Sequence, residues 1–553
     1  MNTMAGERLA FRIGTALLGT AWLLVAGVTA SPTQAATRPA GAQVLLVGSW
    51  QGVPGSYHDI QKAVDAASPG DWILVGPGDY HAKGTDEAGV LITTHGLHLR
   101  GMNQNGVVVD GTNPGGSGPC DASPGAQDFG PPGNDGKPAG RNGIEVFEAN
   151  GVSVENLTVC NYLASDTGGQ GNEIWFNGGD GTGKQKLGAF TGRYLSATST
   201  YYKKPNAAMA KYGIFASNTY GPGLFDLTYA SNMGDSAYYV GACPDCNVVL
   251  TRGHGENSAL AYSGTNSGGH LIIENSEFDL NRTGVVPNSL NNDDQPSPQD
   301  GACPNGKASC TFIRNNYIHD NNNPNVPAFG IAGQAAIGAG IEIAGGHNDT
   351  IVHNKVVRQG GWGIVTHDFP DSEPPPPGAN CRGGMQISPD VCFFEALGNE
   401  VASNRFAHNG FFGNPGNVDL GNEAESVTPG NCFHDNVDTR GELTSDPENI
   451  QVVDGQCGGP APGDQSLAAQ LLCASGMVGS CPPGSSYPQQ TKVKMLPMPK
   501  QKTMANPCAG VPANPWCNEA RLSGGRAGTT GAAMAGAVLA AAPVRRLGIS
   551  LAR

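Results

Sequence analysis

Residues 56–84 read SYHDIQKAVDAASPGDWILVGPGDYHAKG, and residues 90–111 read VLITTHGLHLRGMNQNGVVVDG. Ile60, Ala63, Val64 and Ala67 fall at i, i+3, i+4 and i+7, which makes one apolar helix face. Ser68-Pro69-Gly70-Asp71 stops that helix, because proline has no amide hydrogen for the helical ladder and glycine accepts a left-handed turn. Short strands are predicted next, at 72–75 (WILV), 90–93 (VLIT), 97–99 (LHL) and 107–109 (VVV), each broken off by Gly, Asn or Asp. A helix leading into closely spaced short strands predicts a chain that starts to wind a coil, with the helix as its lid.

Working outward, the rest of the chain repeats. Gly or Ala followed by an apolar residue recurs at Gly143, Gly213, Ala237, Ala259, Gly284, Gly340, Gly363 and Gly410, at intervals of 70, 24, 22, 25, 56, 23 and 47 residues. A period in the low twenties built of short strands marks a solenoid, whose coils bury their apolar side chains only by stacking. Within it, Asn275, Phe278, Asn281 and Gly284, or Asn354, Val357, Gly360 and Gly363, step by three. The apolar member points inward in this reading, and an Asn at a corner both turns the chain and bonds to the Asn one coil away. Ten to twelve such coils make a rod of roughly 50–55 Å.

Residues 60–80 resemble the first coil of the right-handed parallel β-helix proteins, the pectate lyase-like and alginate epimerase-like group, which also holds the polygalacturonases. The resemblance implies an all-β, right-handed parallel β-helix solenoid with an N-terminal capping helix, and an Asn ladder at one of its three corners. The organisation expected is a signal peptide over 1–35, the β-helix over 43–438, a Cys/Pro/Gly-rich C-terminal extension over 439–522 and a low-complexity tail over 523–553. Arg8 and Arg12 precede an apolar run at 13–28, and small residues follow, the pattern of an export signal. That run is short for a membrane span of roughly 20 residues. The mature chain is therefore expected to carry no span and to be secreted.

Composition agrees with export. The chain has 82 Gly and 40 Pro in 553 residues, 14% charged residues and a net charge of −15, which disfavours a nucleic-acid partner. Its 14 cysteines are an even number. Cys243/Cys246, Cys303/Cys310, Cys381/Cys392, Cys473/Cys481 and Cys508/Cys517 are close enough in sequence to invite local disulfides. The CPDC at 243–246 also reads as a redox motif or half a zinc site, but no second CxxC accompanies it.

In enzymes of the resembled architecture the working groups stand on the outer face of the Gly-Ile strands, where an extended polysaccharide lies. By alternation, the outward residue is the second after each Gly or Ala: Glu145, Phe215, Tyr239, Ala261, Val286, Glu342, Val365 and Phe412. Phe215, Tyr239, Trp362 and Glu145 are the candidate glycan contacts. Residues 362–368, WGIVTHD, resemble the alginate epimerase strand at the aromatic residue, the Gly-Ile and the His-Asp, with Val365 in place of the family's Asp. The resemblance points to His367 and Asp368 as candidate catalytic residues, with Glu342 on the adjacent coil roughly 8 Å away by strand geometry. Gly253-His254-Gly255 and Asp293-Asp294 match parts of the polygalacturonase pattern, in reversed order and without its other motifs. Asp293, Asp294 and Asp300 lie in an oxygen-rich stretch suited to Ca²⁺, and Arg314, Lys355 and Arg358 fall near corners of neighbouring coils. Two functions stay open: a secreted glycan-binding or structural β-helix with no intact catalytic motif, and a polysaccharide lyase or uronan epimerase.

Overall fold

Each coil returns to the same line because its inward side chains find cover only on the coil above and below. Val90, Ile144, Ile174, Ile214, Tyr238 and Tyr262 stand in direct register on successive strands, and the row continues to Leu420, all buried. A computed structural model describes residues 41–165, 169–179, 184–203, 208–290, 303, 306, 311–372, 381, 383–424, 429–453, 457, 463–476 and 481–518. The expected signal peptide, the low-complexity tail, Cys310 and the Ca²⁺ candidates Asp293, Asp294 and Asp300 lie outside them.

The architecture is a parallel β-helix, coiled with the right-handed crossover that parallel strands take. Its first ladder runs from Val44–Val47 and Trp72–Val75 to Cys432–His434, and its second from Gly78–Tyr80 and Val107–Asp110 to Val437–Asp438. The nine-residue strands Val152–Cys160 and Phe190–Thr198 pass through the bend and belong to both. Among the described residues the third sheet has eleven strands, from Ala88–Ile92 to Ser445–Asp446. At a spacing of about 4.8 Å, these strands make a rod about 50 Å long.

The corners correct the expected Asn ladder in two ways. The two jobs assigned to one Asn are divided between neighbours: a left-handed residue turns the chain, and the next residue makes the ladder. Asn315, His353, Ser403 and Asp435 have φ of 55°, 59°, 56° and 54°, and each precedes a ladder member: Asn316, Asn354, Asn404 and Asn436. Each ladder Oδ1 accepts the backbone N–H one coil away, at 3.0 Å for Asn316 to Asn354, Asn354 to Asn404 and Asn404 to Asn436. Ladders also occupy all three corners of the later coils instead of one, through Asn281–Asn321–Gln359 and Asp349–Asn399–Asn431. The inward residue of the 354 coil is consequently Val356, with Val357 turned outward.

Both open ends are closed by a glutamine. The helix Ile60–Ala66, N-capped by Asp59, covers the upper end, and the Gln61 amide bonds both the N–H (2.7 Å) and the C=O (3.1 Å) of Leu91 on the edge strand. At the lower end the short helix Ile450–Val453 places Gln451 Oε1 2.8 Å from both the backbone N and the Nδ2 of Asn436. An uncovered strand edge would otherwise recruit another chain.

Beyond the helix Ser466–Ser475, ended by Gly476 in the left-handed region, residues 481–518 run back along the rod without regular structure. It bonds Asn414 through Ser486, Asn257 through Lys494, Asn232 through Leu496 and Asn156 through Met504. Trp516 then anchors it beside the first coils, donating to Val53 O at 3.0 Å. The local disulfides 243–246, 381–392, 473–481 and 508–517 are formed, and Cys120–Cys160 and Cys432–Cys457 add two between distant segments. No helix among the described residues is long and apolar enough to cross a membrane.

Candidate functional site

The outer row of the third sheet reads Glu145, Trp175, Phe215, Tyr239 and Ser263 over consecutive strands, and Glu342, Val365 and Gly421 over later ones. Two expected members are corrected. Ala261 pairs inward in register with Ala237, so Ser263 takes the outer place, and Phe412 lies off the sheet, where Gly421 stands instead. Trp175 escaped the sequence reading because Glu173 stands where the repeat has Gly.

The upper half of this face is aromatic. Trp175 stacks on Phe215 with centroids 5.0 Å apart and planes within 4°, and Tyr212 packs against Phe215 at 4.8 Å and Tyr239 at 5.1 Å. Phe215 (7% exposed) and Tyr239 (3%) are buried by these contacts, so the rings that face solvent in part are Trp175 and Tyr212. The Trp175 indole N–H donates to Ser217 Oγ at 3.1 Å, and Lys211 Nζ stands 5.3 Å over Tyr212. Beside the rings, Glu145 is buried and accepts from Asn142 and Asn177, both at 2.9 Å. Burial raises its carboxyl above the usual range, and the two amide hydrogen bonds only partly oppose that.

The lower half brings two of the three catalytic candidates, Glu342 and His367, into side-chain contact, while the Asp368 carboxylate turns to the Ala396 backbone. Strand Ala339–Ala344 pairs with Trp362–His367 so that Ala344 lies opposite His367, and the Glu342 side chain reaches diagonally across. Glu342 Oε1 is 3.1 Å from His367 Nε2, well inside the roughly 8 Å expected from strand spacing alone. His367 Nδ1 lies 2.8 Å from the Asp368 carbonyl, which can only accept, so Nδ1 carries a proton. Burial pulls the His367 pKa down, but the hydrogen bond and charge of Glu342 outweigh it and the net shift is upward. Asp368 accepts from Ala396 N at 2.8 Å, and its own N–H donates to Glu423 at 2.9 Å, a fourth residue the sequence reading missed. The group can hold and pass a proton, yet His367 is 8% and Glu342 6% exposed.

The remaining candidates are placed elsewhere or covered. Trp362 is 0% exposed, packed on Tyr487 and beneath the residues around Leu471, so it offers no ring face to a polymer. His254 sits on the second ladder, 2.7 Å from Asp279. Arg314 pairs with Glu274 at 2.6 Å, Arg358 with Asp320, and Lys355 stands 4.3 Å over the Tyr317 ring.

No family model and no curated protein matches this chain in sequence. Among solved structures, the A-module of a mannuronan C-5 epimerase from Azotobacter vinelandii is similar at 12% identity and a TM-score of 0.39, over 68% of this chain and 90% of that one. A mannuronic acid-specific family 6 polysaccharide lyase from human gut microbiota has 12% identity and a TM-score of 0.37, over 72% and 82%. The tailspike protein of Escherichia coli bacteriophage HK620 has 12% identity and a TM-score of 0.36, over 70% and 60%.

Proposed function

We propose that this chain is a secreted polysaccharide-binding β-helix whose ligand lies along the outer face of the third sheet, against Trp175 and Tyr212. The observation that carries the reading is the cluster of Trp175, Tyr212, Phe215 and Tyr239 on three successive strands, with Lys211 beside it. Flat, rigid rings with a polar edge suit the apolar faces of sugars, and the lysine suits a uronate carboxylate. Residues 1–35 are read as the export signal, and several disulfides accord with an oxidising compartment.

The test is titration of the mature chain with alginate and pectate oligosaccharides, with and without Ca²⁺, followed by tryptophan fluorescence and calorimetry. Trp175→Ala is expected to weaken binding at least about tenfold, or about 1.4 kcal/mol. Unchanged affinity in that variant, or no binding of any acidic glycan, ends the proposal. The Ca²⁺ arm addresses Asp293, Asp294 and Asp300.

A second reading, a lyase or uronan epimerase, is favoured by the 3.1 Å Glu342–His367 contact on the same face. It predicts unsaturated uronate absorbance or altered anomeric proton signals with these glycans, both abolished by His367→Ala and by Glu342→Ala. Turnover that survives both substitutions removes these residues from the chemistry.

A further inference from the structure

We propose that Asp79, His81 and Asp110 form a binding site for a divalent cation of the Zn²⁺ class near the top of the second ladder. Asp79 and His81 are two apart along the chain, and Asp79 and Tyr80 stand opposite Val108 and Val109, which brings Asp110 level with His81. One ligand atom from each of the three lies within 4.8 Å of the others.

The histidine is oriented as a metal ligand would be. His81 Nδ1 lies 2.8 Å from the Thr112 carbonyl, which can only accept, so Nδ1 carries a proton and Nε2 is the nitrogen that faces the carboxylates. A backbone carbonyl holding the far nitrogen is the usual outer partner of a ligating imidazole. Nε2 stands 3.5 Å from Asp79 Oδ2, long for a hydrogen bond. Bonds of about 2.1 Å to a tetrahedral ion put neighbouring ligand atoms about 3.4 Å apart.

The carboxylates are prepared in the same way. Asp110 is buried, and its oxygens accept one N–H each, from Thr112 at 2.8 Å and Cys120 at 2.6 Å. A carboxylate oxygen has two lone pairs, so each retains one. Asp79 is the more open member and supplies the entry path, with its side chain 29% exposed.

Two further observations bear on the site. The nearby cation Lys83 is engaged 2.8 Å from both Asp128 and Asn113. The Thr112 hydroxyl, on the residue whose N–H and C=O serve Asp110 and His81, is buried with no hydrogen-bond partner among the described residues. One imidazole with two carboxylates selects a borderline metal over Ca²⁺ or Mg²⁺, which take all-oxygen shells. Three protein ligands leave a position for water. The bound ion ties the first coils to the segment leading to the Cys120–Cys160 disulfide.

The test uses the full mature chain, stripped with chelator and titrated with Zn²⁺ alone near neutral pH by calorimetry, alongside Asp79→Asn, His81→Gln and His254→Gln. One Zn²⁺ site is expected to weaken at least about tenfold in the first two variants. It should be unchanged in His254→Gln, whose own histidine–carboxylate cluster serves as the comparison. Thermal melting of the same proteins keeps the result independent of any folding defect. Zn²⁺ should raise the midpoint of the wild type and of His254→Gln, and leave the other two where they are without metal. Equal Zn²⁺ binding or an equal melting shift in all four proteins, no Zn²⁺ uptake by the wild type, or displacement of Zn²⁺ by equimolar Ca²⁺ overturns the assignment.

Discussion

Asp349 occupies an asparagine position, and replacing it with Asn should stabilise the rod in a pH-dependent way. In the neighbouring ladder each Asn accepts through Oδ1 and donates through Nδ2, as Asn354 Nδ2 does to Ile313 O at 3.0 Å and Asn404 Nδ2 to Ile351 O at 2.9 Å. Asp349 keeps the acceptor half, with Oδ1 2.6 Å from Thr311 N, while its own N–H donates to Asn399 Oδ1 at 2.9 Å. Its Oδ2, where Nδ2 would be, is buried without a partner among the described residues. Burial pushes this carboxyl up from 3.8 to about 7.

The folded state therefore holds a proton that the unfolded chain has released between these two values, so Asp349 costs nothing below the lower one. Its cost grows as pH rises through the interval and is constant above about 7. About three units at about 1.4 kcal/mol each set a ceiling of about 4 kcal/mol. Urea melts of wild type and Asp349→Asn at acidic, intermediate and alkaline pH should show a gap that opens with pH, the variant being more stable at the alkaline end. A constant gap, or an Asn variant less stable at alkaline pH, refutes the reasoning.

Other perturbations probe the ends, the site and the strap. Gln61→Leu strands the Leu91 N–H and C=O, which should cost about 1–3 kcal/mol and speed hydrogen exchange at the Leu91 amide; unchanged exchange would show that the helix alone covers the edge. Glu342→Gln removes the partner that raises the His367 pKa, so the His367 titration followed by NMR should move to lower pH. A raised histidine pKa stabilises fully below its unfolded value of 6.5 and is lost as pH rises through the folded value. The variant's deficit should accordingly be larger in mildly acidic than in alkaline buffer, and a deficit independent of pH would count against the pair. Trp516→Ala empties a buried aromatic contact of about 3–5 kcal/mol at the end of the returning segment, and limited proteolysis should then cut between residues 489 and 507; an unchanged digestion pattern would mean that the Asn contacts hold it unaided.

The amphipathic 60–67 pattern, the recurrence near 23 residues and the close cysteine pairs each state a local or periodic constraint, which is why the coil, its lid and the short disulfides were legible in the sequence. Adjacency of Glu342 and His367 was legible for the same reason, because stacking turns a separation of 25 residues into neighbouring strands. Register was harder to read. Ala259-Leu260 and Ala261-Tyr262 offer the same small–apolar pair two residues apart, and only the fit of Tyr262 over Tyr238 selects the second. Nor could a repeat search keyed to Gly find the Trp175 strand.

Linear sequence determined that this chain must coil, since no single turn of it can bury its own apolar residues. What covers the outside of the coils was decided by the tertiary structure alone. Trp362 lies under residues around Leu471 and Tyr487, more than a hundred positions away, and Asn232 and Asn257 bond a segment near Leu496. Such contacts carry no period and no spacing rule, because they depend on where the returning segment meets the corner amides.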